Sequence, residues 1–206
     1  MHKKISNKFQ PGSVQPTNKV FPQGVLEQEN SYNEVVESFD DMNLKEPLLK
    51  GIYTYGFDKP SAVQSRAILP CLTGKDVIVQ AQSGTGKTAT FSISVLQNID
   101  DQCKKTQAVV LSPTRELTQQ SADVMKDLGK YTNVSVHVSV GGAIMRDEME
   151  VLKKANPHVI VGTHFRVLDL VKKGGIKTKN IRYEIKYLNN EIKYLNKLFI
   201  ETQLVV

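Results

Sequence analysis

The run Asp76-Val-Ile-Val-Gln80, followed by Ala81-Gln82-Ser83-Gly84-Thr85-Gly86-Lys87-Thr88, constrains this 206-residue chain more than any other stretch. A short apolar run leads into a Gly-rich turn. The turn opens onto Thr88 to Ile99, where Phe91, Val95 and Ile99 recur at helical spacing. Strand, turn and helix in that order are the setting of a phosphate loop. Successive backbone N–H groups point into a concave nest, and the helix N-terminus adds partial positive charge. Gly84 and Gly86 permit the backbone dihedrals and the close approach to phosphate. Lys87 can reach outer phosphates, and the Thr88 hydroxyl can ligate Mg²⁺. Ala81 stands where the general pattern has Gly. The competing reading is a chance Gly-rich turn, and the flanking strand and helix argue against it.

The segments beyond the loop extend the same pattern. Ala108 to Leu111 predicts a second strand. Arg115 to Gly129 places Leu117, Val124, Met125 and Leu128 at helical intervals. Val134 to Val140 alternates like a strand, Ile144 to Lys154 is charged and helical, and Val159-Ile-Val161 predicts a fourth strand. Strands alternating with helices of this length argue for parallel βαβ units. Gly84-x-Gly86-x-x-Ala89 also matches a dinucleotide fingerprint. That reading needs an acidic residue at the end of the next strand, and residues 108–112 are Ala, Val, Val, Leu and Ser. A GTPase is disfavoured because no Asp-x-x-Gly occurs in the chain.

Composition narrows the class. Apolar residues at 40% and charged residues at 23% are ordinary globular usage and argue against a wholly disordered chain. The net charge of +6 gathers at the ends, with eight basic and three acidic residues in 172–206. Such an end is either a solvated tail or an aid to approaching an RNA backbone. Cys71 and Cys103 cannot form a disulfide framework and fit a reducing compartment. No apolar run approaches the ~20 residues of a membrane span, and residues 1–30 have no apolar block. The expectation is a cytoplasmic protein without a membrane partner. The histidines show no metal-ligand spacing.

Further motifs then occur in a fixed order. They are Ser38-Phe-Asp-Asp-Met-Asn-Leu44, Gly51-Ile-Tyr, Tyr55-Gly-Phe-Asp-Lys-Pro-Ser-Ala-Val-Gln64, the loop 81–88, and Pro113-Thr-Arg-Glu-Leu117. Over roughly residues 31–171 the chain resembles the first RecA-like domain of a DEAD-box RNA helicase of the translation-initiation type. The resemblance implies an α/β fold with a mostly parallel sheet and flanking helices. It assigns Phe39, Phe57, Lys59 and Gln64 to adenine recognition. The Gln64 amide offers the donor and acceptor that adenine presents in reverse. It assigns Ala81, Gln82, Ser83, Gly84, Thr85, Gly86, Lys87 and Thr88 to ATP, with Lys87 and Thr88 catalytic and Thr88 on Mg²⁺. It assigns Pro113, Thr114, Arg115, Glu116, Gly141, Gly142, Thr163 and Arg166 to sequence-independent contacts with RNA. Initiation scaffold proteins are the implied protein partners.

Two departures follow. His164-Phe165 separates Thr163 from Arg166 where the family has Pro-Gly. The family's strand ending in Asp-Glu-Ala-Asp, whose acids hold Mg²⁺ and orient water, has no counterpart, and Asn180-Ile-Arg-Tyr-Glu-Ile-Lys186 stands in its place. The expected organisation is a disordered tail at 1–30, a RecA-like nucleotide-binding domain at 31–175 that is incomplete at its C-terminal side, and a divergent basic tail at 176–206. Ile185, Leu188, Ile192, Leu195 and Phe199 recur at alternating spacings of three and four. They predict an amphipathic helix from about 182 to 200, leaving the sheet without its family strand. The functional expectation is a truncated helicase half that binds ATP and RNA without its own turnover. The alternatives are a competitor or regulator that binds RNA or a partner, and an incomplete gene product.

Overall fold

The computed structural model describes residues 35–74, 76–187 and 204–205. Its helices are α1 (Glu46–Tyr55), α2 (Gln64–Leu72), α3 (Lys87–Asn98), α4 (Arg115–Leu128), α5 (Met145–Ala155) and α6 (His164–Lys172). Its strands are β1 (Ala108–Ser112), β2 (Val136–Ser139), β3 (Val159–Thr163), β4 (Tyr183–Lys186) and the two-residue β5 (Leu204–Val205). They form one sheet in the order β2-β3-β1-β4-β5. Every pairing is parallel, with Val110 opposite Val161 on one side of β1 and Ile185 on the other. β1 is therefore central, and all five of its residues are buried. A strand covered on both faces must be continuously apolar, as Ala-Val-Val-Leu is.

Two layers of helix cover the sheet. On one side α1–α4 pack a large core around Phe91, Ile93, Leu96, Met125 and Leu128. Residues 89–96 of α3 are buried all round. That helix can sit there because its polar positions are small and internally bonded. Thr90 Oγ1 donates to the Gly86 carbonyl at 3.0 Å, and Ser94 Oγ to the Thr90 carbonyl at 2.8 Å. On the other side α5 and α6 cover Val109, Leu111 and Ile160 with Leu152, Val167 and Leu170.

Two expectations are corrected. The run 76–80 forms no ladder with the sheet. Val77 and Val79 turn toward the core while Ile78 is 71% exposed with only an isolated bridge. Side-chain alternation survives there. Among the described residues the run joins no ladder, and its backbone pairing is that single bridge.

The second correction concerns the tail. Residues 183–186 are a strand, not the start of a helix, and they occupy the slot beside β1 that was expected to be vacant. Tyr183, Ile185 and Tyr187 face the α3 side, while Glu184 and Lys186 are buried on the other. A two-heptad helical stripe is marginal without a partner. The edge of β1 offers a full hydrogen-bonded ladder and buries Ile185 completely. The ordered domain thus runs past residue 175 to include β4. The rest of the expected helix lies outside the described residues, as does the tail 1–30.

Candidate functional site

The turn 81–86 leads into α3 through Gly84 at φ 79° and Gly86 at φ 96°, both in the left-handed region where a Cβ is strained. Gly86 caps the helix without a side chain, so the first N–H groups of α3 carry no side-chain cap and are available to an anion. The Lys87 ammonium folds back and donates to the carbonyls of Ala81 at 2.6 Å and Gln82 at 2.7 Å. Thr85 Oγ1 donates to the Gln82 carbonyl at 2.8 Å. Ser83 and Gly84 are exposed, and Thr88 is half-buried at the first turn of α3. A nest with an open helix end and a lysine at its lip fits a polyphosphate. The half-buried Thr88 hydroxyl is one ligand that could hold a metal beside such a polyphosphate. Among the described residues no group of three or more His, Cys, Asp or Glu could hold a metal unaided.

Gln64 lies directly beneath the loop. Its side-chain Oε1 accepts from Ser61 N–H at 2.8 Å, while Ser61 Oγ accepts from Gln64 N–H at 3.3 Å. This reciprocal pair is a capping box at the entry of α2. Ser61 Oγ also donates to the Thr85 carbonyl at 2.8 Å, which ties the segment to the loop. The sequence reading assigned Gln64 and overlooked Ser61, although Ser-x-x-Gln was there to be read. Phe57 is half-buried against Tyr55 at 4.9 Å between ring centroids, and Lys59 is exposed on the same connection. Phe39 is placed differently from the expectation. Its ring has no exposed surface and packs edge-on to Tyr53 in the core, so it presents no face to a base.

The expected RNA residues sit at the C-terminal ends of β1, β2 and β3. After β1, Pro113 leads to Thr114, whose side chain caps α4 by accepting from Leu117 N–H at 3.2 Å. Arg115 and Glu116 are exposed in its first turn. The backbone N–H of Glu116 and the Thr114 hydroxyl hold its carboxyl below the usual range. After β2, Gly141 and Gly142 lie against the Arg115 guanidinium, and a Cβ at either would stand 3.5 Å from it. Thr163 ends β3 and starts α6.

Arg166 does not join this exposed set. It is 8% exposed, Nε donates to Glu148 Oε2 at 2.7 Å, and Nη2 pairs with the same carboxylate. Nη2 also donates to the Ala143 carbonyl at 2.9 Å, directly after the two glycines. Arg166 therefore acts on the loop from behind. Burial alone would push the Glu148 carboxyl up, but the hydrogen bonds with His137 and Arg166 hold it below its usual range. The sequence signal was Met145-x-x-Glu148-x-x-x-Leu152, which puts a carboxylate on the inward stripe of α5. Phe165, next in chain to Arg166, is 81% exposed.

A phosphate nest at the head of a buried helix, with three further loops at the carboxyl ends of parallel strands, defines a RecA-like P-loop α/β domain. A DEAD/DEAH box helicase family model matches residues 61–188, more than half the chain. The chain belongs to that family. Among solved structures, Saccharomyces cerevisiae Dbp5 bound to RNA and ADP BeF3 is similar at 35% identity and a TM-score of 0.73, covering 82% of this chain and 46% of Dbp5. A Dbp5 variant bound to a Gle1 variant and IP6 matches at 33% identity and a TM-score of 0.74, covering 83% and 46%. A DEAD box protein from the hyperthermophile Methanococcus jannaschii matches at 29% identity and a TM-score of 0.74, covering 83% and 49%. The chain spans about half the length of these relatives.

Proposed function

We propose that this chain is the ATP- and RNA-binding half of an ATP-dependent RNA helicase, of the translation-initiation type and similar to eukaryotic initiation factor 4A, working in the cytoplasm with initiation scaffold proteins. The observation that carries the reading is the phosphate loop, with two left-handed glycines, an uncapped α3 N-terminus and Lys87 at its lip. The RNA and ADP BeF3 held by a structural relative support the same ligands here. ATP phosphates displace the loop carbonyls from Lys87 and take the α3 N–H groups, while Gln64 and Ser61 brace the loop from below. Thr88 would hold Mg²⁺, which would neutralise phosphate charge. RNA phosphates lie across Arg115, the Gly141-Gly142 loop and Thr163, contacts that position a backbone without reading sequence.

The chain alone binds without turning over. Orienting an attacking water calls for a positioned residue on the phosphate side. β4 presents Tyr183, Ile185 and Tyr187 on the α3 face and hides Glu184 on the other. The Tyr187 hydroxyl is bonded to Ser121 Oγ at 2.8 Å, and its ring meets Phe91 edge-on at 6.0 Å between centroids. That arrangement favours a second reading, in which this surface competes for RNA or a partner.

Titration with a fluorescent ATP analogue tests the proposal. Lys87→Ala should weaken binding by roughly 1.5–3 kcal/mol, the worth of a charged hydrogen bond, or about ten- to a hundredfold. GTP should displace the analogue less well than ATP, because a site built for one donor–acceptor pattern leaves its groups unpaired against the reverse. Equal affinities in both comparisons defeat the reading.

A further inference from the structure

A cavity of about 1110 Å³ lies far from the phosphate loop. It opens where Thr106 precedes β1, Pro157 precedes β3 and Asn180 precedes β4. All strands are parallel, so this is the amino-terminal edge of the sheet, and the loops after β1, β2 and β3 emerge at the opposite edge. The cleft therefore belongs to neither the nucleotide nor the expected RNA surface.

Its chemistry is two-sided. Met145, Met149, Leu152 and Ile160 supply an apolar floor. Around them stand Lys104 and Lys105 before β1, Arg146 and Lys153 on α5, and Lys173 and Lys177 after α6. All six are exposed. The one carboxylate in the lining, Glu150, is already paired with Arg146 at 3.9 Å. A ring of five further cations over an apolar floor is an incomplete interface. A phosphate backbone would complement the rim but leave the floor uncovered. A peptide carrying both acids and apolar side chains complements both. Two methionines add a surface that repacks around varied apolar groups.

We propose that this cleft docks an acidic amphipathic peptide segment of a partner protein. Apolar residues three or four apart seat on Met145 and Met149, over the buried Leu152 and Ile160, and flanking carboxylates meet the lysines. The rim steers the encounter and makes it salt-sensitive, while the floor sets dissociation.

Selection from a displayed library of random twelve-residue peptides against the full chain tests this. Enriched peptides should be net acidic with apolar residues three or four apart. Their affinity should fall at least about tenfold in Lys153→Glu/Lys173→Glu/Lys177→Glu, and by a similar factor in Met149→Asp. A Lys→Ala version of the triple variant, checked by circular dichroism, should show a smaller loss and separates charge from misfolding. Enrichment without acidic bias, or equal binding to the variants, overturns the proposal. Displacement of the peptides by single-stranded oligouridine also overturns it, because the rim would then be an RNA groove.

Discussion

Arg166 shows how a residue's role depends on what surrounds it. An arginine after a strand end reads as a phosphate contact, yet here its guanidinium is spent on Glu148 and the Ala143 carbonyl. Removing one partner of a buried pair leaves the other charge uncompensated. Arg166→Ala should therefore destabilise the domain by about 3–5 kcal/mol in denaturant titration. It should also weaken RNA binding through the Gly141-Gly142 loop. Arg166→Lys should recover part of the stability, because a point charge cannot reproduce the forked contact. Phe165 makes a contrasting case. It lies exposed beside the expected RNA loops, where an aromatic face can stack on a base, and Phe165→Ala should weaken single-stranded RNA binding by ~1–3 kcal/mol without altering stability.

At the scale of elements, the contacts between helices are close enough to be tested by a single methyl. Gly51 of α1 faces the Leu128 carbonyl at the end of α4 so closely that a Cβ would strike backbone. Gly162 of β3 is similar, with a would-be Cβ 2.7 Å from the Ser139 carbonyl. Gly51→Ala should cost at least ~1–3 kcal/mol, since backbone on both sides cannot yield easily. Thermal unfolding of the variant checks it. β4 is held by its ladder to β1, by Ile185 in the core and by the Tyr187 hydroxyl on Ser121. Tyr187→Phe should lose about 0.5–1.5 kcal/mol, the net worth of one hydrogen bond. Amide-exchange protection across 183–186 should rank with that of β1. Exchange as fast as a frayed end would contradict the strand.

For the molecule as a whole, the buried charge on β4 sets a pH dependence. Glu184 is 1% exposed, and the Lys186 ammonium lies 3.1 Å from its carboxylate. Burial pushes its carboxyl above the usual range, beyond what Lys186 recovers. A folded state that holds the proton more tightly than the unfolded chain is favoured at low pH. It loses that advantage as pH rises from the unfolded value through the folded one. Each unit of separation is worth about 1.4 kcal/mol. Glu184→Gln carries no such proton, so its stability relative to the parent should climb as pH rises above about 4.5. Melting temperatures of both forms measured across that window decide it, and a parallel pair of curves would refute the buried carboxyl. Phosphate release from the purified chain, with and without RNA, should stay at background. RNA-stimulated release abolished by Lys87→Ala would show that another group activates water.

Local chemistry determined much of this protein by itself. The glycines and lysine of 81–88 dictate a phosphate nest wherever a helix follows them, because dihedral freedom and helix-end charge are local properties. The helices at 115–128 and 145–155 follow from apolar spacing, and strands 108–112 and 159–163 from apolar runs too short for helices. Tertiary structure decided the remainder. Residues 183–187 carry both a two-residue and a heptad-like pattern. The open edge of β1 selected the first, since a ladder and a buried Ile185 outweigh an unpartnered stripe. The run 76–80 shows the converse, a strand pattern that joins no ladder among the described residues. Phe39 and Arg166 were drawn inward for the same reason. Whether a ring or a charge is exposed depends on what packs over it, and residues distant in sequence supply that cover.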